Sequence, residues 1–296
     1  MQKITPHLWF DKEAKEAAEF YVSTFGKGSQ VKRLSKLDNT PSGSVDMVTF
    51  ELLGSEFQAI SAGPLFKFNP SVSFHVICKT KQEVDGIWEK LTKGGMVLME
   101  LGAYPFSERF GWVQDKYGLS WQIIYSGGGD VKQKIIPAIM FVGSVAGKAE
   151  EAINFWSSVF PEAKTGAIMR YGKGEQPDQE GTLKNAAFSL FGQEFRAMDS
   201  AHEHAFGFNE AISFIVDCNT QEEIDYYWEK LSAVPEAEQC GWLKDKYGFS
   251  WQIVPSMMDE MLENGSREQI ARVTEAFLVM KKFDIESLKR AYKGGG

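Results

Sequence analysis

The sequence predicts an α+β protein of two tandem domains, each of paired βαβββ units, followed by a C-terminal helical extension. Two observations carry the prediction. One series of motifs occurs twice, in the same order, along nearly the whole chain, which marks duplication at domain scale rather than a short-period solenoid. Within each copy the apolar residues switch between period 2 and period 3.6, the spacings of a half-buried strand and an amphipathic helix. The length of 296 residues suits about two ordinary domains.

The repeat is clearest in GWVQDKYGLSWQII at 111–124, which returns as GWLKDKYGFSWQIV at 241–254. ITPHLWF at 4–10 matches IIPAIMF at 135–141, and EAAEFYVSTF at 16–25 matches EAINFWSSVF at 151–160. FELLGSEFQAIS at 50–61 matches FSLFGQEFRAMD at 188–199, and FNPSVSFHVICKT at 68–80 matches FNEAISFIVDCNT at 208–220. These matches place the domains at 1–126 and 132–256 and the extension at 257–296. Between the domains, YSGGGDVKQK at 125–134 is Gly-rich and then charged, the composition of a flexible linker.

Element order in the first half follows from the same spacings. Residues 4–10 form a short apolar run with Trp9 and Phe10, a strand. Asp11 is placed to cap a helix whose apolar positions Ala14, Ala17, Ala18, Tyr21, Val22 and Phe25 follow helical spacing, and Gly26 stops it. Strand-like stretches follow at 30–37, 44–53 and 56–61, the last two joined by a turn at Gly54. A strand at 71–78 leads into Thr80 and Glu83, spaced as a capping box for a helix that turns Val84, Ile87, Trp88 and Leu91 inward. Strands at 112–114 and 119–125 close the copy, giving βαβββ twice per half and four times per chain. In the extension, 266–283 carries Ile270, Val273, Phe277 and Met280 on one helical stripe, and Asp284 starts a short last helix. That stripe has to bury itself, and a brace on the outer helices or across the domains is preferred to a lid or dimer arm.

The composition excludes several function classes. A net charge of −8 without a basic run argues against nucleic acid as a partner, and no apolar run approaches the ~20 residues of a membrane span. Three cysteines in no metal-binding spacing give no disulfide framework. The expectation is a cytoplasmic protein, compatible with a homodimer.

The motifs ITPHLWFD, EAAEFYVSTF, FNEAISF, DYYWEKL, CGWLKDKYGFSWQIVP and ARVTEAFLVMKKFDIESL resemble the PhnB-like branch of the vicinal oxygen chelate superfamily. That superfamily includes glyoxalase I, extradiol dioxygenases and bleomycin-resistance proteins, and the branch is labelled 3-demethylubiquinone-9 3-methyltransferase. The resemblance implies glyoxalase-like domains whose sheets wall a small-molecule cleft. Two copies in one chain would reproduce covalently the pairing that single-domain relatives reach by dimerising.

Strand alternation selects the cleft-facing residues. In the first half they are His7, Trp9, Gln58, Ile60, His75, Ile77, Gln122 and Ile124; in the second, Ala138, Met140, Arg196, Met198, Ile215, Asp217, Gln252 and Val254. The resemblance implies a divalent metal ion (Zn, Ni, Fe or Co) held from the first, fourth, fifth and eighth strands, positions that fall on His7, Gln58, His75 and Gln122. No carboxylate belongs to that set, so the competing reading has the two histidines hydrogen-bonding ligand or water instead. Trp9, Ile60, Ile77 and Ile124 are assigned to the substrate cleft. Tyr104 and Arg109, in a stretch longer in the first half (92–110 against 232–240), are candidates to cover it.

Three functions follow as expectations. One is small-molecule binding with metal-dependent enzymatic chemistry in the first cleft; another is sequestration of a planar ligand against Trp9 without chemistry. The third, methyl transfer, requires a Gly-rich βα turn of a parallel sheet for S-adenosylmethionine, and the glycine cluster in the chain is the linker at 127–129.

Overall fold

A computed structural model describes residues 2–129 and 131–294. Asp130 of the linker and the two ends of the chain, Met1 and residues 295–296, lie outside the described residues. Four units follow one another. The first is β1 (Ile4–Phe10), α1 (Ala14–Phe25), β2 (Gln30–Thr40), β3 (Gly43–Leu52) and β4 (Ser55–Ser61). The second is β5 (Val72–Cys78), α2 (Lys81–Leu91), β6 (Met96–Tyr104), β7 (Ser107–Gln114) and β8 (Ser120–Tyr125). The third is β9 (Ile135–Phe141), α3 (Ala149–Val159), β10 (Lys164–Arg170), β11 (Leu183–Leu190) and β12 (Gln193–Asp199). The fourth is β13 (Ile212–Cys218), α4 (Gln221–Leu231), β14 (Trp242–Lys244) and β15 (Ser250–Pro255). The extension forms α5 (Met257–Asn264), α6 (Arg267–Leu278) and α7 (Ile285–Lys293).

The units assemble across the repeat. A seven-stranded sheet runs β14-β15-β13-β1-β4-β3-β2, and an eight-stranded sheet runs β10-β11-β12-β9-β5-β8-β7-β6. Each sheet therefore takes one unit from each half. The seams are antiparallel: Ile4 faces Val216 and Leu8 faces Ile212 in β1–β13, while Val72 faces Ile139 and Val76 faces Ile135 in β5–β9. Within units the outer and inner strands pair in parallel, as β1 with β4 and β5 with β8.

The expected capping box at Thr80 and Glu83 forms; a second, between Ser266 and Gln269, starts α6. Other expectations are corrected. Glu13, not Asp11, occupies the N-cap of α1, with no side-chain cap bond. The fourth unit has one strand fewer than βαβββ, because its connection at 232–240 holds only a short 3-10 turn at Pro235–Ala237. The longer first-half connection instead folds as the β6–β7 hairpin. The helix expected over 266–283 ends at Leu278, so Met280 lies beyond it.

The repeated DKYG turn explains why the quoted motif tolerates little change. Asp245 is fully buried; its Oδ1 accepts from the backbone N–H groups of Tyr247 and Phe249 at 2.9 and 3.1 Å. Its Oδ2 accepts from Trp251 Nε1 at 3.0 Å and Trp156 Nε1 at 2.8 Å. Asp115 repeats the arrangement with Tyr117, Leu119 and Trp121. Burial pushes both carboxyls up, and the indole and backbone donors oppose that shift. One carboxylate thus ties a turn, a strand and a helix together under the sheet. Replacing Asp245→Ala strands four donors, each worth about 1–3 kcal/mol when buried unpaired. Urea denaturation should show a loss of roughly 3 kcal/mol or more, whereas a loss below about 1 kcal/mol would remove the carboxylate from this role.

Candidate functional site

Register decides which predicted residues meet. His7 lies beside Gln58 across β1–β4, and β13 and β15 continue that sheet with Ile215 beside Gln252 and Asp217 beside Val254. His75 lies beside Gln122 on the other sheet, whose β9 and β12 contribute Ala138 and Arg196. The expected single cluster of His7, Gln58, His75 and Gln122 is therefore corrected to two pairs on two sheets. The cause is the cross-repeat seam: β1 pairs with β13 and β5 pairs with β9, so the two units of one half never share a sheet.

The sheet containing β1 walls a cavity of about 540 Å³. Trp9 and Ile60 line it, joined by Trp242 of β14. Trp9 meets Trp242 at 6.1 Å and Phe66 at 5.1 Å between ring centroids, both edge-on. The His7 ring sits edge-on to Trp242 at 5.4 Å. His7 is 8% exposed, and its Nδ1 is buried without a hydrogen-bond partner. Burial pushes the imidazole down to about 3, so it is neutral at physiological pH.

Asp217 is the most strongly perturbed acid of this cavity. Burial first, then the negative charges of Asp259 and Glu56, push its carboxyl up to about 7, against a smaller opposing effect of Lys3. Gln252 lies nearby with its amide fixed: Nε2 donates to Ser213 Oγ at 2.9 Å. Alternation already placed Asp217 on the cleft face; its unusual charge depends on burial that the sequence does not display.

The extension spans both halves over the open side of the cavity, which agrees with a brace across the domains and corrects the alternative of a brace on the outer helices. Met258, Asp259 and Leu262 of α5 and Phe277 of α6 line the cavity. At one rim Arg33 donates to Asp259 Oδ1 at 2.7 Å, and Asp259 Oδ2 accepts weakly from Gln58 Nε2 at 3.5 Å. At the other rim the backbone N–H groups of Cys240 and Gly241 donate to Met280 and Lys281, both at 2.8 Å. Only the following segment reaches an outer helix, where Gln221 of α4 bonds the backbone of Phe283 and Ile285. Asp259 and Trp242 escaped sequence reasoning. Trp242 had a signal, since it stands opposite Gln252 in the repeated strand pair; Asp259 had none.

On the second sheet His75, Ile77, Gln122 and Ile124 share one face. Gln122 Nε2 donates to Ser73 Oγ at 2.9 Å, the counterpart of the Gln252–Ser213 bond. Burial, then the charge of Arg196, pushes His75 down to about 4, and a hydrogen bond with Gln122 opposes them. Tyr104 packs edge-on against Phe110 at the far end of this sheet, and its hydroxyl donates to the Glu100 carbonyl at 2.9 Å. Arg109 points the other way and donates through Nε to Asp85 of α2 at 2.7 Å, so it covers neither cleft. The reason is parity: Phe110 pairs with Ile124 on the cleft face, which turns its neighbour toward the helices.

The donor sets do not fit a divalent ion. The four ligand positions read His7, Gln58, Ile215 and Gln252 on one sheet and Ala138, Arg196, His75 and Gln122 on the other. Neither set has a carboxylate, each offers at most one imidazole beside neutral amides, and the second set contains a fixed cation. Among the described residues no group of three or more His, Cys, Asp or Glu side chains is arranged to hold a metal.

The profile of the family described as 3-demethylubiquinone-9 3-methyltransferase matches residues 2–124 and again 133–254. No curated protein matches the chain. Among solved structures, glyoxalase I from Zea mays is similar over 88% of this chain and 96% of its own, at 11% identity and a TM-score of 0.53. A putative 3-demethylubiquinone-9 3-methyltransferase, PhnB protein, from Bacillus cereus is 42% identical over 42% of this chain and 100% of its own, with a TM-score of 0.40. Among the described residues no helix is long and apolar enough to cross a membrane.

The raised carboxyl of Asp217 has a signed consequence for stability. Its folded value, about 7, lies above the ordinary carboxylate value of 3.8, so between those values the folded state holds the proton more tightly. Stability from this group is complete below pH ~4 and is lost as pH rises through 7, by at most about 4 kcal/mol. Asp217→Asn should therefore gain stability over wild type at pH 8 relative to pH 5. Urea melts with equal differences at both pH values would show an ordinary carboxyl.

Proposed function

The chain belongs to the 3-demethylubiquinone-9 3-methyltransferase family, and on that premise we propose that it binds a neutral, planar small molecule in the cavity walled by β1, β4, β13 and β15. The orphaned, buried Nδ1 of His7 carries this reading. A buried polar atom without a partner costs about 1–3 kcal/mol, and a ligand that hydrogen-bonds it recovers that cost. The surroundings suit such a ligand: Trp9, Trp242 and Phe66 offer ring faces and edges, and the volume lies in the range of small-molecule sites. The neutral imidazole, the half-protonated Asp217 near pH 7 and the neighbouring Asp259 disfavour an anion and suit an uncharged polar end.

A second reading has its own observation. A carboxyl titrating near 7 is matched to proton transfer at neutral pH, so Asp217 would act as acid or base toward an ionisable C–H or O–H of the bound molecule. Methyl transfer, named in the family's description, has weaker support. In the glycine-containing turn at 142–148 between β9 and α3, the N–H groups of Val145, Ala146 and Lys148 donate to backbone carbonyls within the turn, and the Ala149 N–H at the helix start donates to Asp199 Oδ1 at 3.0 Å.

The test is a panel of uncharged aromatic carbonyl and phenolic compounds, read by quenching of tryptophan fluorescence. Wild type should show saturable quenching, and His7→Ala should weaken it roughly tenfold, the equivalent of ~1.4 kcal/mol. Asp217→Asn should retain binding while abolishing any exchange of a ligand C–H proton with solvent. A chain ending at residue 256 should lose both binding and solubility, since it uncovers the apolar cavity wall. Binding unchanged in His7→Ala would place the ligand elsewhere.

A further inference from the structure

The duplicated faces carry opposite charge. At the fourth-strand position the first face has Gln58 and the second has Arg196; two residues after the fifth-strand ligand position, the first face has Asp217 and the second has Ile77. One face has thus acquired an acid and the other a base. Arg196 stands opposite Ala138, and Ala138 stands opposite Ser73, so the three form one row across β12, β9 and β5 on the cleft side. Ser73 carries the Gln122 amide, and His75 lies beside Gln122. The alanine at the centre of the row supplies no side chain long enough to engage the guanidinium.

Arg196 is half-buried and has no hydrogen-bonding or ion-paired partner among the described residues. A cation in that position ordinarily recruits a carboxylate, because a partly desolvated charge left unpaired is costly. Its field is felt by His75, on which no other charged group acts among the described residues. Met140, Met198, Ile77 and Ile124 beside it are apolar, and Glu194, two residues before Arg196 on the same strand face, is exposed and forms no ion pair with it among the described residues. A planar five-donor fork beside apolar side chains matches an organic carboxylate in shape as well as in charge.

We propose that the face built by β12, β9, β5 and β8 is a second binding site, which takes a small organic carboxylate anchored on Arg196 beside His75 and Gln122. This site is independent of the cavity that holds His7 and Asp217, and it takes a ligand of the opposite electrostatic kind. A bound carboxylate offsets the charge of Arg196 at His75, so the imidazole senses occupancy.

The experiment uses the full chain, with malonate and inorganic phosphate as probes in calorimetry and the ring resonances of His75 as the local readout. Malonate should bind saturably and shift the His75 resonances. Arg196→Gln should lose binding roughly tenfold or more, and Arg196→Lys should fall between the two because it keeps the charge without the fork. Unchanged thermal melting of both variants confirms that they fold. Failure of wild type to bind either probe, binding that survives Arg196→Gln, or binding that leaves His75 unmoved would each overturn the site. Binding of phosphate with no binding of malonate would overturn the assignment to a carboxylate.

Discussion

Antiparallel pairing of β1 with β13, and of β5 with β9, is the constraint on which the rest of the structure depends. Each seam joins strands from different halves of the repeat, so neither half closes a sheet alone. The seven- and eight-stranded sheets that result are chimeras of the two copies. Every functional grouping follows from this: His7 shares a face with Ile215 and Asp217 rather than with His75. The covalent duplication performs internally what two separate chains would do by association.

The two copies differ unequally on the two sides of each sheet. Toward the helices the copies are nearly interchangeable, because the buried carboxylates of Asp115 and Asp245 each need the same turn amides and the same indole. Changing any partner leaves a charge or donor unsatisfied in a low-dielectric interior. The cleft sides carry no such reciprocal network beyond the paired Gln–Ser bonds. They were free to diverge, and they did so in charge: Asp217 on one, Arg196 on the other. Glutamine at both eighth-strand positions donates an N–H to a serine, a bond that an ionised carboxylate cannot supply.

The extension adds an asymmetry that duplication could not create. Its α5 and α6 lie along one cleft, pinned by Arg33 at one rim and by the backbone of Cys240 and Gly241 at the other. This cover supplies apolar side chains to the cavity and lowers its polarity, which contributes to the neutral state of His7 and, with Asp259, to the raised carboxyl of Asp217. The same segment is therefore both part of the fold's hydrophobic burial and part of the site's electrostatics.

By itself the sequence determined what depends on local spacing. Alternation put Trp9, Ile60 and Asp217 on one side of their strands, the capping box at Thr80 fixed a helix start, and the matched motifs established a tandem glyoxalase-like chain. Period 2 states which face a side chain takes but not which strand lies beside it. Only the tertiary structure decided that the second half, not the first, would complete the cleft of β1, that Arg109 would turn to Asp85, and that the terminal helices would lie over the cavity. These outcomes rest on long-range pairing and burial, whose energies arise between residues hundreds of positions apart and leave no local pattern to read.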